Sequence, residues 1–175
     1  IAWVDEKPLI FDCIEFNERL RYIDTISETA FMVMDPITGQ VKAWVGGIDF
    51  KNYKYDHVNI NTKRQVGSSI KPFLYALAIE EYGFTPETLC EDTQQYFPGS
   101  GYVPARNRGH SGTRTMANAL AFSVNEVAAY LIKQTTPERF ARFIQQINIP
   151  TKVEPYPSIS LGTCDLSLFE MMWGY

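Results

Sequence analysis

Histidine is nearly absent and cysteine is scarce: the 175 residues hold two histidines, His57 and His110, and three cysteines, Cys13, Cys90 and Cys164. The cysteines are odd in number, widely spaced and form no Cys-x-x-Cys pair, which argues against a disulfide scaffold or a structural zinc site. One bridge plus a free thiol stays open. Two histidines are too few for a His-rich metal centre, so any chemistry is expected to run without a metal or another cofactor. Long apolar runs are missing too. A run such as Val127 to Ile132 falls far short of the ~20 residues of a membrane span. There is no basic and apolar leader, and the chain opens on Ile1 rather than Met, so a piece of something longer is expected. Sixteen basic against twenty acidic residues leave a net charge of −4. That balance speaks against nucleic acid as a partner, since such binding draws on phosphate neutralisation.

Apolar residues make up 45% and charged residues 21%, the composition of an ordinary globular domain rather than a collagen-like, low-complexity or disordered chain. Residues 1–28 show no clear period. From Thr29 the pattern sharpens: Ala30 to Met34 and Val41 to Val45 flank Asp35-Pro36-Ile37-Thr38-Gly39, which reads as a β-hairpin. Residues 48–66 read as a polar, irregular connection. Ile70, Phe73, Leu74, Leu77 and Ala78 then follow a helical period that Gly83 ends. Pro72 falls in its first turn yet disfavours the α conformation at Lys71. Residues 84–112, rich in Pro and Gly, read as a long loop, usually a functional feature in a compact domain. Met116 to Ile132 carries a helical stripe broken at Ser123-Val124-Asn125. Thr136-Pro137-Glu138 reads as a cap and first turn, and Asp165 as the cap of a last helix. The class is α+β: a hairpin, several helices and a long loop. Trp44, Phe73, Phe143 and Trp173 are expected in the core, and Cys164 as a buried small hydrophobe rather than a redox switch.

Gly67-Ser68-Ser69-Ile70-Lys71 is the first candidate for chemistry. Positions i and i+3 of a helix share a face, so the Ser68 hydroxyl and the Lys71 amine can meet. A serine needs a base to act as a nucleophile, and a lysine serves when burial or nearby positive charge lowers its pKa. The helix start offers backbone N–H groups to an oxyanion. The bland alternative is a capping Ser68 and a solvated Lys71. Ser123-Val124-Asn125 likewise reads either as a pair of side chains aimed at something or as an Asn capping a helix from Glu126. Lys63 and Arg64 are expected to be solvated. Ser-x-x-Lys followed by Ser-x-Asn matches two of the three motifs that mark penicillin-binding proteins and serine β-lactamases.

With Met34-Asp35-Pro36-Ile37-Thr38-Gly39, Ala43-Trp44-Val45-Gly46-Gly47, Tyr55-Asp56-His57-Val58, Arg64-Gln65-Val66-Gly67-Ser68, Pro104, Asn107 and Leu161-Gly162-Thr163-Cys164, the chain resembles the transpeptidase domain of class A penicillin-binding proteins, in wording similar to Bacteroidetes-type versions. The resemblance covers residues 29–175 and implies a β-lactamase/DD-transpeptidase-like fold, with 1–28 as a lead-in. It implies that Ser68 attacks the D-Ala-D-Ala carbonyl of a peptidoglycan stem peptide, that Lys71 is the leading base and that Ser123 relays a proton to the leaving amine. Asn125 would hold Lys71 and the substrate amide, Asn107 would help position the Ser123 loop and bind substrate, and β-lactams would trap Ser68. It further implies a periplasmic, inner-membrane protein with an anchor and a glycosyltransferase domain outside this sequence. No Lys-Thr-Gly occurs. The resemblance places that strand beyond Tyr175, so these residues alone are expected to be inactive. A β-lactamase, a DD-carboxypeptidase and a non-catalytic binding module are the competing readings.

Overall fold

A computed structural model of the protein describes residues 29–48, 51, 54–106 and 111–175, and the backbone of a short antiparallel pair, Trp3–Val4 (β1) with Lys7–Pro8 (β2). Cys13, Asn107, His110 and most of the expected lead-in lie outside the described residues. Phe31–Met34 (β3) and Val41–Val45 (β4) form the expected hairpin, with Phe31 opposite Val45 and a register shift at Val33/Met34. Its turn closes because Asp35 Oδ1 accepts the backbone N–H groups of Ile37 and Thr38 at 3.0 and 2.8 Å. Those bonds hold the Asp35 carboxyl below its ordinary pKa.

The connection after the hairpin is less irregular than its composition suggests. Asp56 organises it: Oδ2 accepts the Trp44 indole N–H at 2.9 Å, and Oδ1 accepts Val58 N–H at 2.9 Å. A Cβ on Gly46 would sit 2.3 Å from Asp56 Oδ1, which is why this position has no side chain. Trp44 is therefore 43% exposed rather than in the core. Trp173 is likewise at the surface, stacked on Phe169, and Phe143 is half-buried; of the four aromatics expected inside, Phe73 alone is fully there. The connection ends in Lys63–Gln65 (β5), a strand that sequence period does not reveal because its partner lies a hundred residues away.

Beyond a short 3₁₀ turn comes Lys71–Tyr82 (α1), whose Phe73, Leu74, Leu77 and Ala78 are buried and whose Gly83 cap has φ +70°. The stretch expected to be a loop is in part strand. Leu89–Glu91 (β6) pairs with Thr113–Thr115 (β9), and Gln95–Phe97 (β7) with Gly101–Val103 (β8). β6 and β9 pair across a long connection, and strands of only three residues leave no alternation to read. Met116–Ala121 (α2) and Asn125–Thr135 (α3) flank the break at Ser123. In α3, Val127, Ala128, Ala129, Leu131 and Ile132 are all fully buried, so this helix is central rather than one-sided. Pro137–Gln146 (α4) starts as expected, with Thr136 Oγ1 accepting Arg139 N–H. A 3₁₀ turn, Pro157–Leu161, leads to Asp165–Ser167 (β10), paired antiparallel with β5, and to Leu168–Gly174 (α5). Among the described residues no helix is long and apolar enough to cross a membrane.

The cap of α5 is Ser167, not Asp165, and it forms a reciprocal capping box with Glu170. Glu170 is buried; its Oε2 accepts Ser167 N–H and Oγ–H at 2.9 and 3.0 Å, its Oε1 accepts from Thr151, and Lys63 Nζ lies 3.9 Å away. Burial pushes its pKa up, but the bonds from Ser167 and Thr151 and the Lys63 charge more than offset this and leave it lowered. A depressed folded value means stability that is present above the unfolded pKa and lost as pH falls through the folded one. Glu170→Gln should therefore cost about 1–3 kcal/mol at neutral pH, because it aims an amide at donors. Urea titrations at pH 6 and pH 3 are expected to show that difference shrinking on acidification.

Candidate active site

Two antiparallel neighbours set the path of the chain into Ser68. The β5–β10 ladder pairs Gln65 with Asp165 and continues past the strand ends: Val66 N–H donates to Cys164 O at 3.2 Å and Gly67 N–H to Gly162 O at 3.0 Å. Gly67 takes φ +56°, a left-handed conformation that a residue without Cβ adopts freely. The chain then turns into a 3₁₀ segment, Gly67–Ile70. In 3₁₀ geometry side chains at i and i+3 eclipse, so Ser68 and Lys71 share one edge of the turn. Lys71 N–H donates to Ser68 O. The conflict raised by Pro72 is resolved within α1: Lys71 is helical at φ −56° and ψ −44°, and the proline sits in the first turn where no helical N–H is lost.

Ser68 is exposed while Lys71 is 1% exposed. The capping alternative fails here, since no side chain caps either the 3₁₀ turn or α1, and Lys71 is not solvated. Its amine points toward the link between α2 and α3. There Nζ donates to Ser123 O at 2.6 Å, to Ser123 Oγ at 3.1 Å and to Asn125 Oδ1 at 2.7 Å. An ammonium has three protons to give, and three oxygens stand ready.

The local sequence explains why those oxygens converge. Thr115 Oγ1 caps α2 by accepting Asn118 N–H. The chain leaves α2 through Ser123 at φ +52°, and Val124, extended and 5% exposed, drives its side chain into the core. That anchor fixes both neighbours. Asn125 opens α3 without capping it, so its amide is free for Lys71, contrary to the capping alternative. Lys63 and Arg64 are exposed as expected, and Lys63 turns to Thr151 and Glu170. Asn107 lies outside the described residues.

Neutral Lys71 would have two protons and a lone pair. Ser123 O and Asn125 Oδ1 accept only, whereas the Ser123 hydroxyl can also donate. The Lys71–Ser123 Oγ contact is thus the one that can reverse when the amine loses a proton. Cys90 and Cys164 are free, and burial pushes each thiol up to about 11, so neither is a nucleophile at neutral pH. No cluster of ligands for a metal occurs among the described residues. Sequence reasoning missed the close approach of Gly162 to Gly67 behind Ser68. A Gly inside a quoted motif was the available signal.

The family profile of the penicillin binding protein transpeptidase domain matches residues 29–154. Penicillin-binding protein 2D of Bacillus subtilis is 32% identical over 91% of this chain and 25% of its own length. Penicillin-binding protein 1C of Escherichia coli is 31% identical over 85% of this chain and 20% of its own. The chain thus spans a fifth to a quarter of the length of these curated relatives. Among solved structures, penicillin-binding protein 1A from Haemophilus influenzae superimposes with a TM-score of 0.72 at 25% identity, covering 82% of this chain and 22% of that one. A Mycobacterium tuberculosis protein, in complex with penicillin V, shares the fold with a TM-score of 0.68 at 22% identity, over 92% of this chain and 46% of that one. The α+β architecture is accordingly that of penicillin-binding transpeptidase domains, and the chain belongs to the penicillin-binding protein transpeptidase family.

Proposed function

We propose that this chain supplies the nucleophile half of a peptidoglycan DD-transpeptidase site, with Ser68 as nucleophile, Lys71 as base, Ser123 as proton relay and Asn125 as the group that holds Lys71 and the substrate amide. The observation that carries this reading is the buried Lys71 amine, one turn after an exposed Ser68 and bonded to Ser123 O, Ser123 Oγ and Asn125 Oδ1. The substrate is a stem peptide ending in D-Ala-D-Ala, and the setting is the periplasmic face of the inner membrane. Residues 29–175 are the part of the domain that builds this half.

The chemistry runs in two transfers. Ser68 Oγ gives its proton to neutral Lys71 Nζ as it attacks the carbonyl carbon of the penultimate D-Ala. The C–N bond breaks, and the leaving D-Ala amine takes a proton from Ser123, which Lys71 replaces through the reversible contact. An acceptor amine of a second stem peptide then attacks the ester carbonyl, forming the cross-link and returning the Ser68 proton. A β-lactam follows the first transfer, but its leaving amine stays tethered to the ester and blocks the second.

Peptide mapping of the intact protein after treatment with penicillin tests the assignment. One adduct on the peptide holding Ser68, persisting for many minutes, is expected. An adduct on any other residue, or none, would overturn the reading, and release of hydrolysed drug within seconds would make the protein a β-lactamase.

A further inference from the structure

Leu161-Gly162-Thr163 has no part in the proton transfers, yet its glycine is the tightest backbone contact near them. Gly162 ends the Pro157–Leu161 turn at φ +76° and is buried, and its N–H donates to Ile159 O at 2.9 Å. Its carbonyl accepts Gly67 N–H at 3.0 Å. A Cβ on Gly162 would lie 1.9 Å from Gly67 O, 2.4 Å from Gly67 C and 2.5 Å from Gly67 N, where real Cβ contacts essentially never fall below 3.0 Å. All three atoms are backbone, so no rotamer change relieves the clash. A Cβ on Gly67 itself would meet nothing within 4 Å. Gly67 is a glycine for its dihedral angle; Gly162 is one for the space it leaves as well.

The residue after Gly67 is Ser68. Downstream, Ile70 and Lys71 are locked in the interior, and the turn between them and Gly67 has no side-chain cap. Upstream, the fixed points are the Gly162 and Cys164 carbonyls. Ser68 is therefore suspended between a packed helix start and a bare backbone-on-backbone contact. Attack needs the reacting atoms at about 3–3.5 Å with orbitals aligned, and about 1 Å of misplacement can cost 10²-fold in rate.

We propose that Gly162 is a positioning residue of the acyl-transfer site: its contact with the Gly67 backbone sets where the turn places the Ser68 hydroxyl relative to Lys71. The inference rests on Ser68 being the nucleophile. Because Gly162 touches no substrate, a side chain there moves the nucleophile without altering the groups that recognise a ligand.

The test is the acylation of the intact protein by a fluorescent penicillin over a concentration series, which separates the saturation constant from the maximal rate. Gly162→Ala is expected to lower the maximal rate about 10²-fold, the cost of a displacement of that size, while leaving the saturation constant of the folded protein in place. An unchanged maximal rate overturns the inference, as does a loss that only follows the folded fraction in a melting curve. Should Gly162→Ala yield no folded protein, Val66→Pro decides. Val66 has φ −76° and ψ −17°, which proline accepts, so this change removes the N–H that donates to Cys164 O. A lower maximal rate at constant saturation supports the inference, and an unchanged rate overturns it. Ser68→Ala in the same assay keeps the two ideas apart. Labelling that survives there overturns the nucleophile assignment, whereas labelling lost there but undiminished in Gly162→Ala overturns the positioning role alone.

Discussion

Lys71→Met is expected to slow acylation of the intact protein by a β-lactam about 10²–10⁴-fold, the range that a positioned acid–base group contributes. Methionine replaces the buried stem at nearly the same volume, so the core around Ile70, Leu74 and Val124 keeps its shape. Two stability terms then oppose each other. Losing the amine orphans Ser123 O and Asn125 Oδ1, at about 1–3 kcal/mol for each acceptor left dry. It also ends the cost of keeping a polar amine out of water. The activity loss should therefore far exceed any change in melting temperature. Lys71→Arg sharpens the point. A guanidinium stays charged at every accessible pH and presents a planar fork in place of a point donor, so it can hold a charge but cannot take a proton from Ser68. Stopped-flow acylation should find Lys71→Arg as slow as Lys71→Met. A rate near that of the parent protein would mean that Lys71 contributes charge alone.

How much of the fold the sequence reveals follows from how local each signal is. The hairpin, the phase of α1, the break at Ser123 and the Thr136-Pro137 start all depend on residues within one turn or one loop, and all are where sequence reasoning expects them. So was the convergence of the Ser-x-x-Lys and Ser-x-Asn motifs, because the resemblance supplied the distant half. The strands between residues 84 and 115 were not legible, since β6 finds β9 more than twenty residues on and three residues cannot show an alternating pattern. β5 and β10 escaped for the same reason. The Ser167-x-x-Glu170 capping box is a different kind of miss. The signature is in the sequence, but Asp165, two residues earlier, is an equally acceptable capping residue type. Trp44 shows a third kind: hydrophobicity placed it inside, while its indole N–H reaches Asp56 at the surface, as an aromatic with a polar handle can.

Ser68→Ala is expected to abolish the penicillin adduct altogether. Ser68 is exposed and caps nothing, so its hydroxyl contributes little to folding; surface changes of this sort usually stay within about 0.5 kcal/mol. Unchanged melting together with absent labelling would locate the loss in chemistry rather than structure. Ser68→Cys then asks what Lys71 does. A thiol titrates at about 8.5 and is partly thiolate at neutral pH without help. If Lys71 acts by taking the Ser68 proton, its removal should matter much less beneath a cysteine. The double-mutant cycle over Ser68→Cys and Lys71→Met should then show strong coupling, with the Lys71→Met penalty falling from hundreds-fold or more to about tenfold and shrinking further as pH rises toward 9, because the thiolate fraction grows. If Lys71 instead acts by organising Ser123 and Asn125, both of which it touches whatever stands at position 68, the penalty will be equal in the two backgrounds. Equal penalties would transfer the base role away from Lys71 while leaving Ser68 as the nucleophile.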